Sequence, residues 1–292
     1  MEKFKEYLKK EKFKDRTIEE HLNNIKRFNA WLMQENYGDV ALLRYNDLLA
    51  YIQHEKSKKI DPTTINLRLS SISRYFEYLK QQGEVEKNPA KTIRVKGVIK
   101  KVIRNPLDWA QLQTLFQQYS QMQKISHVQG KTDIAHQRNT VIVGLLIWQG
   151  VRGGELAKME TGHIDLKEGS VYIPSTSKGN NRELQLAPAQ VLLFHEYLQN
   201  IRPQLKPRAD ELIPGSVRNI IVELVQELQG INPVIQNALH IRGSVILNWL
   251  KLHNKRQVQY MAGHKYISST EKYAEQQVED LQDELAKHHP FG

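Results

Sequence analysis

The chain has 292 residues, 42 Lys/Arg against 32 Asp/Glu, a formal charge of +10 and no cysteine. The lack of cysteine excludes a disulfide framework, thiolate-ligated zinc and a thiol nucleophile, and makes a reducing cytoplasm the expected setting. The charge points to a polyanionic partner and is unevenly spread: residues 1–104 hold 23 Lys/Arg against 14 Asp/Glu, the remainder 19 against 18.

A chain of this length suits two domains with a boundary in the middle third. Its first residues, MEKFKEYLKKEKFKDR, lack the apolar run of a signal peptide, and no stretch approaches the roughly 20 apolar residues that span a bilayer. A soluble intracellular protein is expected.

The first predicted helix starts at Thr17, with a Thr17/Glu20 capping pattern and an apolar face of Ile18, Leu22, Ile25, Phe28 and Leu32. A second starts at Asp61-Pro62 and carries Ile65, Leu69, Ile72, Phe76 and Leu79 on one face. Its other face offers Asn66, Arg68, Ser70, Ser73 and Arg74, which suits either a DNA groove or water. After Gly83 the helical period stops. The segment 89–106, bounded by Pro89 and Pro106 and rich in Lys and Arg, reads as a basic linker between domains 1–88 and 107–292.

The second domain opens with an apolar run, Thr140 to Val151, expected as a buried helix. Ser170 to Ile173 and Glu183 to Leu186, separated by the polar STSKGNN, predict an antiparallel hairpin. Helical periodicity returns from about Asn219. The fold class is therefore mainly α: a helical N-terminal domain, then an α+β domain with one small antiparallel sheet.

A Gly-rich phosphate loop, an HExxH pair and a DxD carboxylate cluster are all missing, so metal-dependent nuclease chemistry is poorly supported and no metal is expected. What remains is a set of cations in particular settings. Arg152 follows the apolar run in QGVRGGEL, where it is either put to use or simply paired with Glu155 three residues on. Lys178 sits at the hairpin tip. Arg242 heads the apolar SVILNWL, His264 follows a glycine in MAGHKY, and Tyr273 comes nine residues after His264.

Taken together and in this order, QGVRGGEL, SKGNNREL, the helix headed by Arg242 and GHKYISSTEKY resemble the catalytic motifs of the tyrosine recombinase (phage integrase) family. The helix TTINLRLSSISRYFEYL is similar to one in that family's core-binding, SAM-like domain, so the resemblance covers nearly the whole chain. It implies a simple two-domain Xer-like or small integrase type, without an arm-binding domain, that cuts and rejoins double-stranded DNA. Tyr273 would be the covalent nucleophile, Arg152 and Arg242 the phosphate clamps, Lys178 the proton donor and His264 a phosphate ligand.

The resemblance implies no cofactor, because the 3′-phosphotyrosyl bond keeps the energy of the phosphodiester. It also implies a homo-tetramer on two recombination sites, joined through a C-terminal helix for which Val278, Leu281 and Leu285 have the spacing, and a nucleoid-associated cytoplasmic location. No membrane and no small-molecule substrate are implied. The pattern departs at one place: the family histidine three residues before the second arginine is Leu239 here, with His240 beside it. That departure keeps open a DNA-binding protein that has lost the chemistry. A topoisomerase IB-like enzyme, with the same chemistry and no partner exchange, is the third reading.

Overall fold

The computed structural model describes residues 1–97, 103–122 and 131–275, and the chain divides into two compact units, Met1–Lys101 and Val102–Gly292. Residues 276–292, which hold the expected C-terminal helix, lie outside the described residues, as do 98–102 of the basic segment.

Four helices build the first unit: α1 (Glu2–Lys10), α2 (Asp15–Gln34), α3 (Tyr45–Ser57) and α4 (Pro62–Gln81). The expected stripes of α2 and α4 meet in its core, where Ile25, Phe28, Ile65, Ile72 and Phe76 are fully buried. At α4 the side chain of Asp61 accepts the Thr63 N–H and Pro62 fills the first turn, as Asp-Pro predicts. α2 differs: it starts two residues before Thr17, with Lys14 at its N-cap and no side-chain cap, so the Thr17/Glu20 box does not form.

Most of the polar face of α4 is already engaged. Asn66 pairs with both backbone groups of Val95, Arg68 with buried Glu55, Ser73 with Asn88, and the Arg74 guanidinium lies 5.1 Å above the Phe13 ring. Ser70 stays exposed. The Asn66 bonds also correct the reading of a linker from residue 89: Ala90, Ile93 and Val95 are buried in the core of the first unit, because their apolar side chains have a helix face to cover.

The second unit continues with α5 (Trp109–Gln121), α6 (Lys131–Trp148), α7 (Gly153–Leu156), β1 (Ile164–Asp165), β2 (Ser170–Ile173), β3 (Arg182–Gln185), α8 (Pro188–Glu196), α9 (Val217–Ile231), α10 (Ala238–Leu252) and α11 (Lys255–Met261). The strands form an antiparallel sheet in the order β1-β2-β3, with Ile173 opposite Arg182 and Val171 opposite Leu184. The hairpin was expected; the two-residue β1 at its edge was not. From Val141 onward α6 is apolar all round and lies at the centre, with Val141, Ile142, Val143, Leu145 and Ile147 fully buried. Each such side chain contributes about 1.5–3 kcal/mol by leaving water. Among the described residues no helix is long and apolar enough to cross a membrane.

Candidate active site

α6 delivers the first site residue. It ends at Trp148, Gly150 takes a left-handed conformation (φ +55°) that turns the chain, and Arg152 follows as the N-cap of α7. Glu155, one turn into α7, is completely buried, and its Oε2 accepts the Arg152 backbone N–H at 2.9 Å.

A buried carboxylate needs a cation, and here the nearest is Arg182 at the start of β3. Its two terminal nitrogens donate to Glu155 Oε1 and Oε2 at 3.1 and 3.0 Å, a bidentate pair with neither side chain exposed. Arg152 and Arg242 stand back from the same carboxylate, at 3.9 and 4.0 Å. Arg152 Nη1 donates instead to the Lys178 carbonyl at 2.9 Å, while Arg242 donates to the carbonyls of Gly150 and Ala262. The alternative read from sequence, a simple Arg152–Glu155 pair, is thus replaced by a cluster of three arginines around one glutamate. Burial alone would raise the Glu155 pKa, but the hydrogen bonds and charge of Arg182, then the charge of Arg242, hold it below the usual carboxylate range.

Arg242 reaches this cluster from the first turns of α10, where it is buried. Burial, and after it the charge of Arg152, pull its pKa down from the usual arginine value.

The hairpin tip is fastened to the same place. Lys178 is exposed in the turn between Thr176 and Gly179, and the Asn180 N–H donates to the Gly263 carbonyl at 2.9 Å. Gly263 has φ +62°, and a Cβ there would lie 2.5 Å from Arg182 Nη1 and 2.8 Å from the Asn180 carbonyl oxygen. Only glycine fits that contact.

The next residue, His264, is buried, and its Nδ1 lies 2.8 Å from the Thr270 hydroxyl. Burial first, and then the charges of Arg242, Arg152 and Arg182, push its pKa down to about 3, so the ring is neutral at neutral pH. Residues 268–275 are helical and present Tyr273, half-buried, with its ring 6.0 Å from that of His264 and 11° from parallel.

The five residues singled out from sequence therefore meet in one region of the second unit, Lys178 through its backbone. Sequence reasoning missed Arg182 and Thr270. A signal for Arg182 existed: Arg182 and Leu184 share the inward face of β3, so the strand begins with an arginine turned toward the core. The neighbours Leu239 and His240 face different surroundings. α10 is regular from Ala238, Leu239 is 64% exposed, and the buried His240 ring bonds through Nε2 to the Arg104 carbonyl at 2.9 Å.

A family model described as the phage integrase family matches residues 114–280, and one described as the phage integrase N-terminal SAM-like domain matches residues 1–83. The chain belongs to the phage integrase family of tyrosine recombinases. This integrase-family chain is 23% identical over 307 residues to tyrosine recombinase XerC of Bacillus licheniformis, covering 98% of this chain and 95% of the relative. It is 25% identical over 309 residues to tyrosine recombinase XerC of Treponema denticola, covering 96% and 94%. Two solved integrases share its fold. One is the Tn1549 transposon integrase with transposon right end DNA (TM-score 0.65, 17% identity, 86% of this chain and 87% of that one). The other is a lambda integrase dimer bound to a COC′ core site (TM-score 0.64, 16% identity, 93% of each chain).

Proposed function

We propose that this integrase-family chain is a site-specific recombinase that cuts and rejoins duplex DNA through a 3′-phosphotyrosyl intermediate on Tyr273. The observation that carries the reading is the grouping of Arg152 and Arg242 about one held carboxylate, with Tyr273 stacked on the His264 that feels both their charges. A phenol with an ordinary pKa of about 10 is a weak nucleophile, and a phosphodiester is an anion that repels it. Two guanidinium forks answer both obstacles by binding the non-bridging oxygens and stabilising the added charge of the pentacovalent transition state.

In the step, the Tyr273 oxygen bonds to phosphorus as the bond to the 5′ oxygen breaks. The phenolic proton passes to water, and Lys178 supplies a proton to the departing oxygen. Neutral His264 donates to the phosphate from Nε2 as the tautomer whose Nδ1 accepts from the Thr270 hydroxyl, a bond that hydroxyl is placed to donate. Rejoining reverses the step with a returning 5′ hydroxyl.

The first unit supplies the duplex grip. Asn23, Arg27, Thr64, Leu67 and Ser70 line an open groove between α2 and α4, on the part of the chain that carries most of the excess positive charge. Exchange of partners calls for four protomers on two duplexes, at the nucleoid in the cytoplasm.

A second reading, DNA binding without chemistry, is favoured by one observation: an exposed leucine at 239. Trapping on a nicked duplex separates the two. A covalent adduct formed by the wild type and lost in Tyr273→Phe supports recombination; tight duplex binding with no adduct supports the second reading.

A further inference from the structure

Arg182 lies outside the set of five and touches neither the expected nucleophile nor the expected proton donor. We infer that Arg182 is a positioning residue: it occupies the Glu155 carboxylate so that Arg152 and Arg242 keep their N–H donors for the phosphate. The inference rests on the recombinase reading of the site given above.

The geometry behind it is a matter of who donates to whom. Glu155 is fully buried among three guanidinium groups, and of these three that of Arg182 alone is within hydrogen-bonding distance, with one terminal nitrogen on each carboxylate oxygen. At 3.9 and 4.0 Å, the guanidinium groups of Arg152 and Arg242 feel the negative charge but give up no side-chain donor to it; Arg152 bonds it through its backbone N–H alone. An ion pair free to close settles at roughly 2.7–2.9 Å, so a carboxylate without its own partner would be drawn onto one of the two phosphate clamps and quench it. With Arg182 in place, Glu155 balances part of the crowded positive charge, while backbone carbonyls hold the other two guanidinium groups off the carboxylate, Arg152 by Lys178 and Arg242 by Gly150 and Ala262.

The surroundings hold Arg182 in that role. Its Nη1 packs where a Gly263 Cβ would stand, which ties the fork to the turn that presents His264. Its Nε is buried with no hydrogen-bond partner among the described residues, a penalty that a valine at this inward strand position would avoid. An arginine placed for stability alone is a poor choice there.

The test measures the single-turnover rate of covalent adduct formation by the full chain at saturating DNA. The probe is a library of nicked duplexes with a randomised core, from which the wild type captures its own substrates. Arg182→Met is expected to slow adduct formation ~100-fold, the scale of losing one preorganised donor, with duplex binding unchanged. Adding Glu155→Gln to Arg182→Met removes the quenching charge and is expected to recover ~10-fold of that loss. A merely structural ion pair predicts no recovery.

A double variant no faster than Arg182→Met, with both folded by circular dichroism, overturns the inference, as does a wild-type rate in Arg182→Met. Should Arg182→Met not fold, Arg182→Lys keeps the buried charge but leaves one carboxylate oxygen open. It is expected to be slowed ~10-fold, and a wild-type rate in it overturns the inference. Absence of adduct from the wild type itself would overturn the site reading, and this inference with it; adduct formed equally by wild type and Arg182 variants would overturn the inference alone.

Discussion

His264 and Tyr273 stack with their ring planes 11° apart, and the imidazole is buried within reach of three arginine charges. The pH dependence of stability follows from this. The unfolded imidazole takes up its proton near pH 6.5, the folded one only near 3. Between these values the unfolded state binds more protons, so the contribution is whole above about 6.5 and is lost as pH falls toward 3. Glu155, with its pKa lowered on folding, adds to the loss at the acidic end. Thermal melts from neutral to mildly acidic pH are expected to show a falling Tm, with a shallower fall in His264→Gln.

Gly263→Ala places a methyl group 2.5 Å from Arg182 Nη1, at a backbone φ of +62°. Strain and displaced packing together are expected to destabilise the second unit by about 2–3 kcal/mol. Urea unfolding checks it. A variant as stable as the wild type would mean that the turn and Arg182 move apart freely.

Thr270→Val keeps the shape of a fully buried side chain but removes the hydroxyl that faces His264 Nδ1. Adduct formation is expected to slow ~10-fold, with about 1–2 kcal/mol lost from stability, while Thr270→Ser retains most of both. Equal rates in all three would leave Thr270 without a part in setting the tautomer.

Much of the fold could be read from the chain because its signals are local. Asp61-Pro62 starts α4 where a capping residue followed by proline should, and the apolar run after Thr140 is a buried helix. The five residues proposed for the site could be picked out through their motifs, and the fold brings them into one region of the second unit. What stayed hidden depends on long-range contacts: Asn66 is taken by Val95, Arg68 by Glu55 and Arg182 by Glu155, each at a separation that periodicity does not sense. The Thr17/Glu20 pattern misled because Asp15 and Arg16 extend the helix by two residues.

The departure at 239 gives a contrast between neighbours. Leu239 is exposed at the start of α10, so Leu239→His should change stability by less than about 0.5 kcal/mol and speed adduct formation severalfold by restoring a ligand near Arg242. His240→Phe loses the bond to the Arg104 carbonyl and should lower stability by about 1–2 kcal/mol with little effect on the chemical step. Melting curves and single-turnover rates on the pair separate the roles; an unchanged melt with a collapsed rate in His240→Phe would reverse them.

The most direct test of the central claim is to trap the covalent adduct on a nicked duplex, digest protein and DNA, and identify the nucleotide-bearing peptide by mass spectrometry. A phosphotyrosyl link on Tyr273 is the expected result. A link on the exposed Tyr260 or Tyr266, or DNA bound tightly with no link at all, would contradict it.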